Sequence, residues 1–172
     1  MGNEKLTVAE ALKFARHDFL NELQLILLYM DLGKLPEARK TIMNATECMR
    51  QVSVLEKLGL PAVQIWLSTF DWTYSVFPKT LTCDIQSGIR EVDDAEVVAY
   101  LQQVFSEAER TVDPASEYET QIDVHASQTS WSIQITVNGV MHNKLLAPEV
   151  TGDFTVEETF AHNQWTFTIS GR

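Results

Sequence analysis

The sequence is short of basic residues, and its charge is unevenly distributed. Thirteen Lys and Arg stand against 24 Asp and Glu, which gives a net charge of −11. Residues 1–60 hold eight of each sign, whereas residues 61–172 hold five basic and sixteen acidic residues. A chain without a basic stripe cannot displace counterions from phosphates. We therefore expect it to bind neither nucleic acid nor a membrane surface.

Long apolar runs, targeting signals and cysteine clusters are also lacking. The longest apolar run, Leu25–Met30, has six residues, whereas a membrane span needs about 20. The start of the chain lacks the basic segment and apolar stretch of a signal peptide. The two cysteines, Cys48 and Cys83, have no metal-ligand spacing and are typical of reduced thiols. We expect a cytoplasmic protein without a metal site of its own.

Motifs for common chemistries are missing too. The chain contains no nucleophile elbow, P-loop or dinucleotide fingerprint. His125, His142 and His162 have no second His, Cys or acid at ligand spacing, so each is expected to be a packing or surface residue. His17 is the histidine with a distinctive setting.

Two helices are predicted at the start of the chain. Thr7 and Glu10 form a capping box that begins the first helix, which should end at Gly33. The second should begin around Pro36 and end near Leu58, as an antiparallel neighbour. Each helix has one seam, apolar except for Arg16: Leu12, Arg16, Phe19, Leu23, Ile26 and Met30, then Leu35, Ala38, Ile42, Ala45, Met49 and Val52. Because two helices cannot enclose a core, we predict a homodimer built as a four-helix bundle.

The pattern changes after Pro61. Residues 62–76 indicate a third helix or a connector, and residues 94–110 indicate a further helix. Strands are predicted over residues 80–85, 120–126, 131–137, 154–160 and 165–169, with turns at 138–139 and 162–163. We predict an α+β fold with two domains: a helical hairpin over residues 1–60, and an α/β sandwich with a mostly antiparallel sheet over residues 61–172.

His17 lies on the side of the first helix away from its seam. At 100° per residue, the centre of the seam is about 150° from His17. Glu10, Lys13, Asn21 and Gln24 form a polar strip around it. An exposed imidazole that titrates near neutral pH suits a phosphoryl acceptor or a general acid/base. A solvated surface histidine is the alternative interpretation.

Residues 16–26, RHDFLNELQLI, resemble the R-H-D-[FW]-x-N-x-L-Q-x-I box of the sporulation phosphotransferase B group. That group is related to the dimerisation domains of citrate-type sensor histidine kinases. The stretch LSTFDW, residues 67–72, resembles the aromatic connector that follows the second helix of the family. The order of the later elements fits as well, so the resemblance extends along the chain.

The resemblance implies a phosphorelay histidine phosphotransferase. His17 would take a phosphoryl group from the aspartyl phosphate of a single-domain response-regulator receiver. It would then pass the group to the receiver domain of the sporulation transcription regulator. The chain would bind no cofactor, and the Mg²⁺ that the transfer needs would come with the receiver.

The residues around His17 have roles implied by the same resemblance. Asp18 would orient the imidazole or steady its charge, and Asn21 would contact the phosphoryl group or the incoming receiver. Gln24 would dock the partner, while Lys13 and Arg16 would offset the phosphoryl charge.

An ATP-dependent sensor histidine kinase is the main alternative within the family. Such a kinase needs an asparagine-rich helix and glycine-rich turns around the nucleotide. Here the corresponding helix, VVAYLQQVFSEAERTVD, has no asparagine, and Gly139, Gly152 and Gly171 lie far apart in sequence. We predict a degenerate histidine-kinase ATPase domain that acts as a structural or docking module. A non-catalytic dimeric adaptor is the remaining alternative.

Overall fold

The computed structural model describes residues 6–113, 115–140, 148–161 and 163–172. His142 and His162, and with them part of the turn predicted at 162–163, lie outside the described residues. The chain forms two compact units that divide between Arg50 and Gln51. Because this division lies inside a helix, the domain boundary after residue 60 stays a prediction.

The first unit contains a helical hairpin. Helix α1 spans Val8–Asp31, and both hydrogen bonds of the capping box between Thr7 and Glu10 are present. Gly33 has a φ of +69°, a backbone conformation that glycine adopts without strain, and it reverses the chain. Helix α2 then spans Leu35–Leu55. The two predicted helices are therefore confirmed.

The hairpin buries very little within one chain. Helix α1 has no buried residue. In the described part of the first unit, a single hydrophobic residue is buried, Ala38 of α2, which is 4% exposed. Much of the two predicted seams is exposed: Leu12, Phe19, Leu23 and Met30 on α1, and Leu35, Ile42 and Met49 on α2. No helix in the described ranges has the length and apolar character needed to cross a membrane.

The second unit begins with the end of α2 and a 3₁₀ turn, Glu56–Leu58. Gly59, with a φ of +77°, ends this turn. The stretch predicted as a helix or connector consists of two short helices, α3 (Pro61–Ser68) and α4 (Phe70–Thr73). The later elements are β1 (Lys79–Ile85), α5 (Asp94–Thr111), β2 (Glu119–Ala126), β3 (Trp131–Asn138), β4 (Thr155–Ala161) and β5 (Gln164–Gly171).

The five strands form one mixed sheet in the order β1-β2-β3-β5-β4. Strands β1 and β2 are parallel, and the other three pairs are antiparallel. Residues of β2 and β3 alternate between buried positions, such as Ile122 and Ile133, and more exposed polar ones. One sheet face therefore belongs to the core, and the predicted α+β fold with a mostly antiparallel sheet is confirmed.

Aromatic rings join the short helices, α5 and the sheet. Phe105 of α5 is fully buried, and six ring centroids lie 4.9–6.1 Å from its own. These rings belong to Trp66, Phe70, Tyr74, Phe77, Trp165 and Phe167. The aromatic connector in the sequence is thus part of the core of the second unit.

Arg90 braces three segments of the second unit. Its guanidinium donates to the carbonyl oxygens of Leu58 (2.8 Å), Gln86 (3.0 Å) and Ser127 (2.8 Å), with a longer contact to Ser130 (3.4 Å). Partial burial lowers the pKa of Arg90. The end of the 3₁₀ turn, the segment after β1 and the β2–β3 turn are therefore held by one side chain.

The two free cysteines lie in different surroundings. Cys48 is exposed on α2, whereas Cys83 of β1 is partly buried. Burial raises the pKa of the Cys83 thiol to about 11, with a smaller contribution from Asp123. Cys83 is therefore protonated at neutral pH, as expected for a structural thiol.

Candidate functional site

His17 is the tenth of the 24 residues of α1, close to the middle of the helix. Its side chain is 70% exposed. Because α1 is one continuous helix, the imidazole is attached to a regular backbone whose geometry fixes its direction. The exposed position predicted from the helical spacing is where the structure places this residue.

Both contacts of the imidazole are on its Nδ1 atom. Asn21, one turn along the helix, has its Nδ2 atom 3.1 Å from Nδ1 of His17. Asp18 has Oδ1 at 3.5 Å from the same nitrogen, which is longer than an ordinary N–H···O bond. Among the described residues, Nε2 has no hydrogen-bond partner. The ring therefore presents Nε2 to solvent while Nδ1 faces two side chains of its own helix.

The three other predicted site residues, Lys13, Arg16 and Gln24, are exposed on α1. The structure thus brings Asp18 and Asn21 to the imidazole and leaves these three on the surrounding surface. The implied roles of all of them stay predictions.

Glu10 belongs to the N-terminal cap of α1 rather than to the polar strip around His17. Its carboxylate accepts from the backbone N–H of Thr7 at 2.9 Å and from the Thr7 hydroxyl at 2.7 Å. These hydrogen bonds lower the pKa of Glu10, and nearby Lys13 lowers it further by a smaller amount. The capping box therefore holds this carboxylate one and a half to two turns before His17.

The described residues offer no cluster of metal-binding side chains. Within the described ranges, no group of three or more His, Cys, Asp or Glu side chains is placed to hold a metal ion. That the chain binds no metal ion of its own, and that a receiver supplies the Mg²⁺, both stay predictions.

A second polar arrangement, not foreseen from the sequence, lies on the sheet of the second unit. His125 of β2 is paired in register with Asp84 of β1 and Ser132 of β3, and all three line an open groove. The strand register that aligns them has no signal in a single sequence. In the described structure, the three side chains make no hydrogen bond or ion pair with one another, so they are not arranged as a hydrogen-bonded catalytic triad.

Comparison with known families identifies the helical part of the chain. Residues 2–58 match the family described as "Sensor kinase SpoOB-type, alpha-helical domain". The hairpin is therefore similar to a SpoOB-type domain. The match confirms the resemblance drawn from the box around His17, and it supports a role in two-component signalling. No curated protein matches the chain.

Several solved structures are distantly similar to the chain. The histidine kinase AdeS of Acinetobacter baumannii has 14% identity and a TM-score of 0.44, over 90% of this chain and 96% of that one. A mycobacterial sensor histidine kinase, MprB, has 10% identity and a TM-score of 0.41, over 64% and 92%. The histidine kinase ThkA, in complex with the response regulator TrrA, has 11% identity and a TM-score of 0.43, over 94% and 60%. These likenesses are too distant to assign a function.

Proposed function

We propose that the chain is a cytoplasmic phosphorelay histidine phosphotransferase that acts in sporulation initiation. His17 takes a phosphoryl group from the aspartyl phosphate of one response-regulator receiver and passes it to the aspartate of a second. The observation that carries the proposal is the imidazole itself. It is 70% exposed on a rigid helix, with Nδ1 beside Asp18 and Asn21 and with Nε2 facing solvent.

The chemistry requires little more than this placement. Phosphoryl transfer depends mainly on in-line positioning and on neutralising the charge of the transferred group. The helix supplies the positioned nitrogen, and the receiver supplies the metal ion and the carboxylates. Lys13 and Arg16, on the same helix, add positive charge near the phosphoryl group. The balanced charge of residues 1–60 also favours the approach of an acidic receiver.

The inner side of α5 supports phosphotransfer without ATP. Buried residues occupy this side of the helix, among them Tyr100, Leu101 and Phe105. Tyr100 stacks edge-on against Phe154, with ring centroids 5.6 Å apart, and burial raises the pKa of its hydroxyl. In a kinase, the corresponding helix would carry asparagine toward the nucleotide. Helix α5 has no asparagine, and its aromatic rings, Tyr100 and Phe105, belong to the core. We propose that the second unit is a structural or docking module.

The exposed seam of the hairpin supports a homodimer. Phe19, 52% exposed, and Met30, 52% exposed, would leave large apolar areas in water if the chain stayed single. The exposed residues of α2, such as Ile42, recur at spacings that fit a bundle. A second hairpin would cover both seams, while His17 on the opposite side of α1 would stay accessible. Sedimentation equilibrium measures this directly, and a monomer at micromolar concentration would contradict it.

The decisive experiment is transfer from a phosphorylated receiver. Purified single-domain receivers are charged with [³²P]acetyl phosphate and mixed with the chain and Mg²⁺. We expect acid-labile, alkali-stable label on the wild type and none on His17→Gln. The matched control is His125→Gln, which removes an exposed histidine of the second unit and should keep the label.

The outcomes separate the alternatives. Absence of label from every receiver would contradict the relay and favour a non-catalytic adaptor. Label on His17 from [γ-³²P]ATP alone would favour a sensor kinase. Label that persists in His17→Gln would place the acceptor elsewhere in the chain.

A further inference from the structure

We infer that Asn21 and Asp18 compete for Nδ1 of His17 and select opposite protonation forms of the ring, Asn21 for storage of the phosphoryl group and Asp18 for its transfer. The inference rests on the proposed phosphoryl carrier and concerns the regulation of the same site. It makes both side chains positioning residues, because each acts on the phosphoryl group through the imidazole.

The geometry places two groups of opposite hydrogen-bonding character at one nitrogen. The Asn21 amide nitrogen, 3.1 Å from Nδ1, is a donor only. The Asp18 carboxylate oxygen lies 3.5 Å from Nδ1, and an ionised carboxylate can accept a hydrogen bond but cannot donate one. Nδ1 of a neutral imidazole has either a lone pair or a proton, so it satisfies one of these neighbours at a time.

The two partners therefore stabilise different tautomers. Donation from Asn21 requires a bare Nδ1, which puts the proton on Nε2 and removes the lone pair that would attack phosphorus. Acceptance by Asp18 requires a proton on Nδ1, which leaves the lone pair on Nε2. The shorter contact in the structure is the one with Asn21, at 3.1 Å against 3.5 Å for Asp18, which favours the tautomer that does not react.

Acceptance of the phosphoryl group needs the tautomer of His17 with its proton on Nδ1, which Asp18 stabilises. The Nε2 lone pair attacks phosphorus of the aspartyl phosphate, and an Nε2–P bond forms. The P–O bond to the receiver breaks, and its electron pair leaves with the aspartate carboxylate. The ring keeps its Nδ1 proton and becomes a cation, which the Asp18 carboxylate stabilises.

Storage of the phosphoryl group needs a His17 ring without a proton on Nδ1, which Asn21 stabilises. The Nδ1 proton passes to water, and the neutral phosphohistidine has a lone pair on Nδ1 that accepts from the Asn21 amide. Without a proton on Nδ1 the ring would have to leave as an imidazolate anion, which is a poor leaving group, so the Nε2–P bond persists. Delivery reverses these events: Nδ1 is protonated again beside Asp18, a receiver carboxylate attacks phosphorus, and the Nε2–P electron pair returns to the ring.

The tautomer of His17 is the first readout. Protein labelled with [¹⁵N]histidine is observed by NMR at a pH where the ring is neutral, and His17→Gln assigns the signal. One hydrogen bond corresponds to about a twofold to tenfold change in the tautomer ratio. We expect Asn21→Ala to raise the share of the Nδ1–H form by this factor and Asp18→Asn to lower it. The matched control, Asn44→Ala, removes an exposed asparagine of α2 and should change nothing. Equal shifts in one direction, or no shift, would overturn the inference.

The lifetime of the phosphohistidine is the second readout. Isolated protein is charged with potassium phosphoramidate, and loss of phosphate from His17 is followed by ³¹P NMR, with His17→Gln subtracted. We expect the lifetime to fall about twofold to tenfold in Asn21→Ala and to rise in Asp18→Asn. An unchanged or longer lifetime in Asn21→Ala would overturn the storage role.

Neither readout uses a receiver, so the two levels of the proposal fail separately. A tautomer ratio that responds as expected in a protein that no receiver labels would refute the relay but not the competition at Nδ1. Efficient receiver labelling with an unresponsive tautomer ratio would refute the competition alone.

Discussion

The two units of the chain use apolar residues in opposite ways. In the second unit, Phe105 is fully buried among six other rings. In the hairpin, Phe19 is 52% exposed, and α1 has no buried residue. Because burial of apolar surface is the main source of folding free energy, the second unit can stabilise itself. The hairpin leaves the apolar residues of its seams exposed, which is the reason for proposing a second hairpin as their cover.

The largest effect is expected in the second unit. Phe105→Ala removes the ring at the centre of the aromatic core, and we expect the free energy of unfolding to fall by about 3–5 kcal/mol. Urea titration followed by tryptophan fluorescence measures this unit specifically, because all four tryptophans belong to it: Trp66, Trp72, Trp131 and Trp165. A loss below about 1 kcal/mol would mean that the core repacks around the gap.

An intermediate effect is expected at Arg90. Arg90→Met keeps much of the side chain's length but removes its donors to the carbonyls of Leu58, Gln86 and Ser127. We expect a loss of about 1–3 kcal/mol in the same urea titration. Arg110→Met is the matched control, because Arg110 is 73% exposed and has a single contact of 3.5 Å with Glu107. Its loss should stay below about 0.5 kcal/mol. Equal losses of unfolding free energy in the two variants would show that Arg90 does not brace these segments.

The smallest effect on the second unit is expected from the hairpin. Phe19→Ala makes the same chemical change as Phe105→Ala, yet we expect it to shift the tryptophan-detected unfolding free energy by less than about 0.5 kcal/mol. Its effect should appear in sedimentation equilibrium as weaker self-association. Ile89→Ala, at a position 86% exposed in the second unit, serves as the control and should leave association unchanged. A large shift in tryptophan-detected stability would show that the hairpin supports the second unit.

Local signals in the sequence were enough to predict most elements. The capping box of Thr7 and Glu10, the turn at Gly33 and the spacing of apolar residues fixed both long helices. Alternation of polar and apolar residues gave the strands to within one or two residues. The break at Thr69, which separates α3 from α4, was not predicted, because it depends on how Trp66 and Phe70 pack in the core.

The site was predicted in part for the same reason. Asn21 is one helical turn from His17, so its proximity followed from spacing alone, and the structure adds that its amide meets Nδ1. The alignment of His125 with Asp84 and Ser132 depends on the register of three strands from distant parts of the chain. Such long-range pairing leaves no trace in the spacing of a single sequence.

The contrast between the two cysteines gives the chain a built-in attachment point for a spectroscopic probe. With a pKa of about 11, the Cys83 thiol has only about one part in 10⁴ of thiolate at pH 7. Cys48 is exposed on α2, so a maleimide or methanethiosulfonate label should attach there in the unmodified protein. Two spin labels in a self-associated pair would then yield the distance between the two α2 helices, and the sequence would not have to be altered to obtain it.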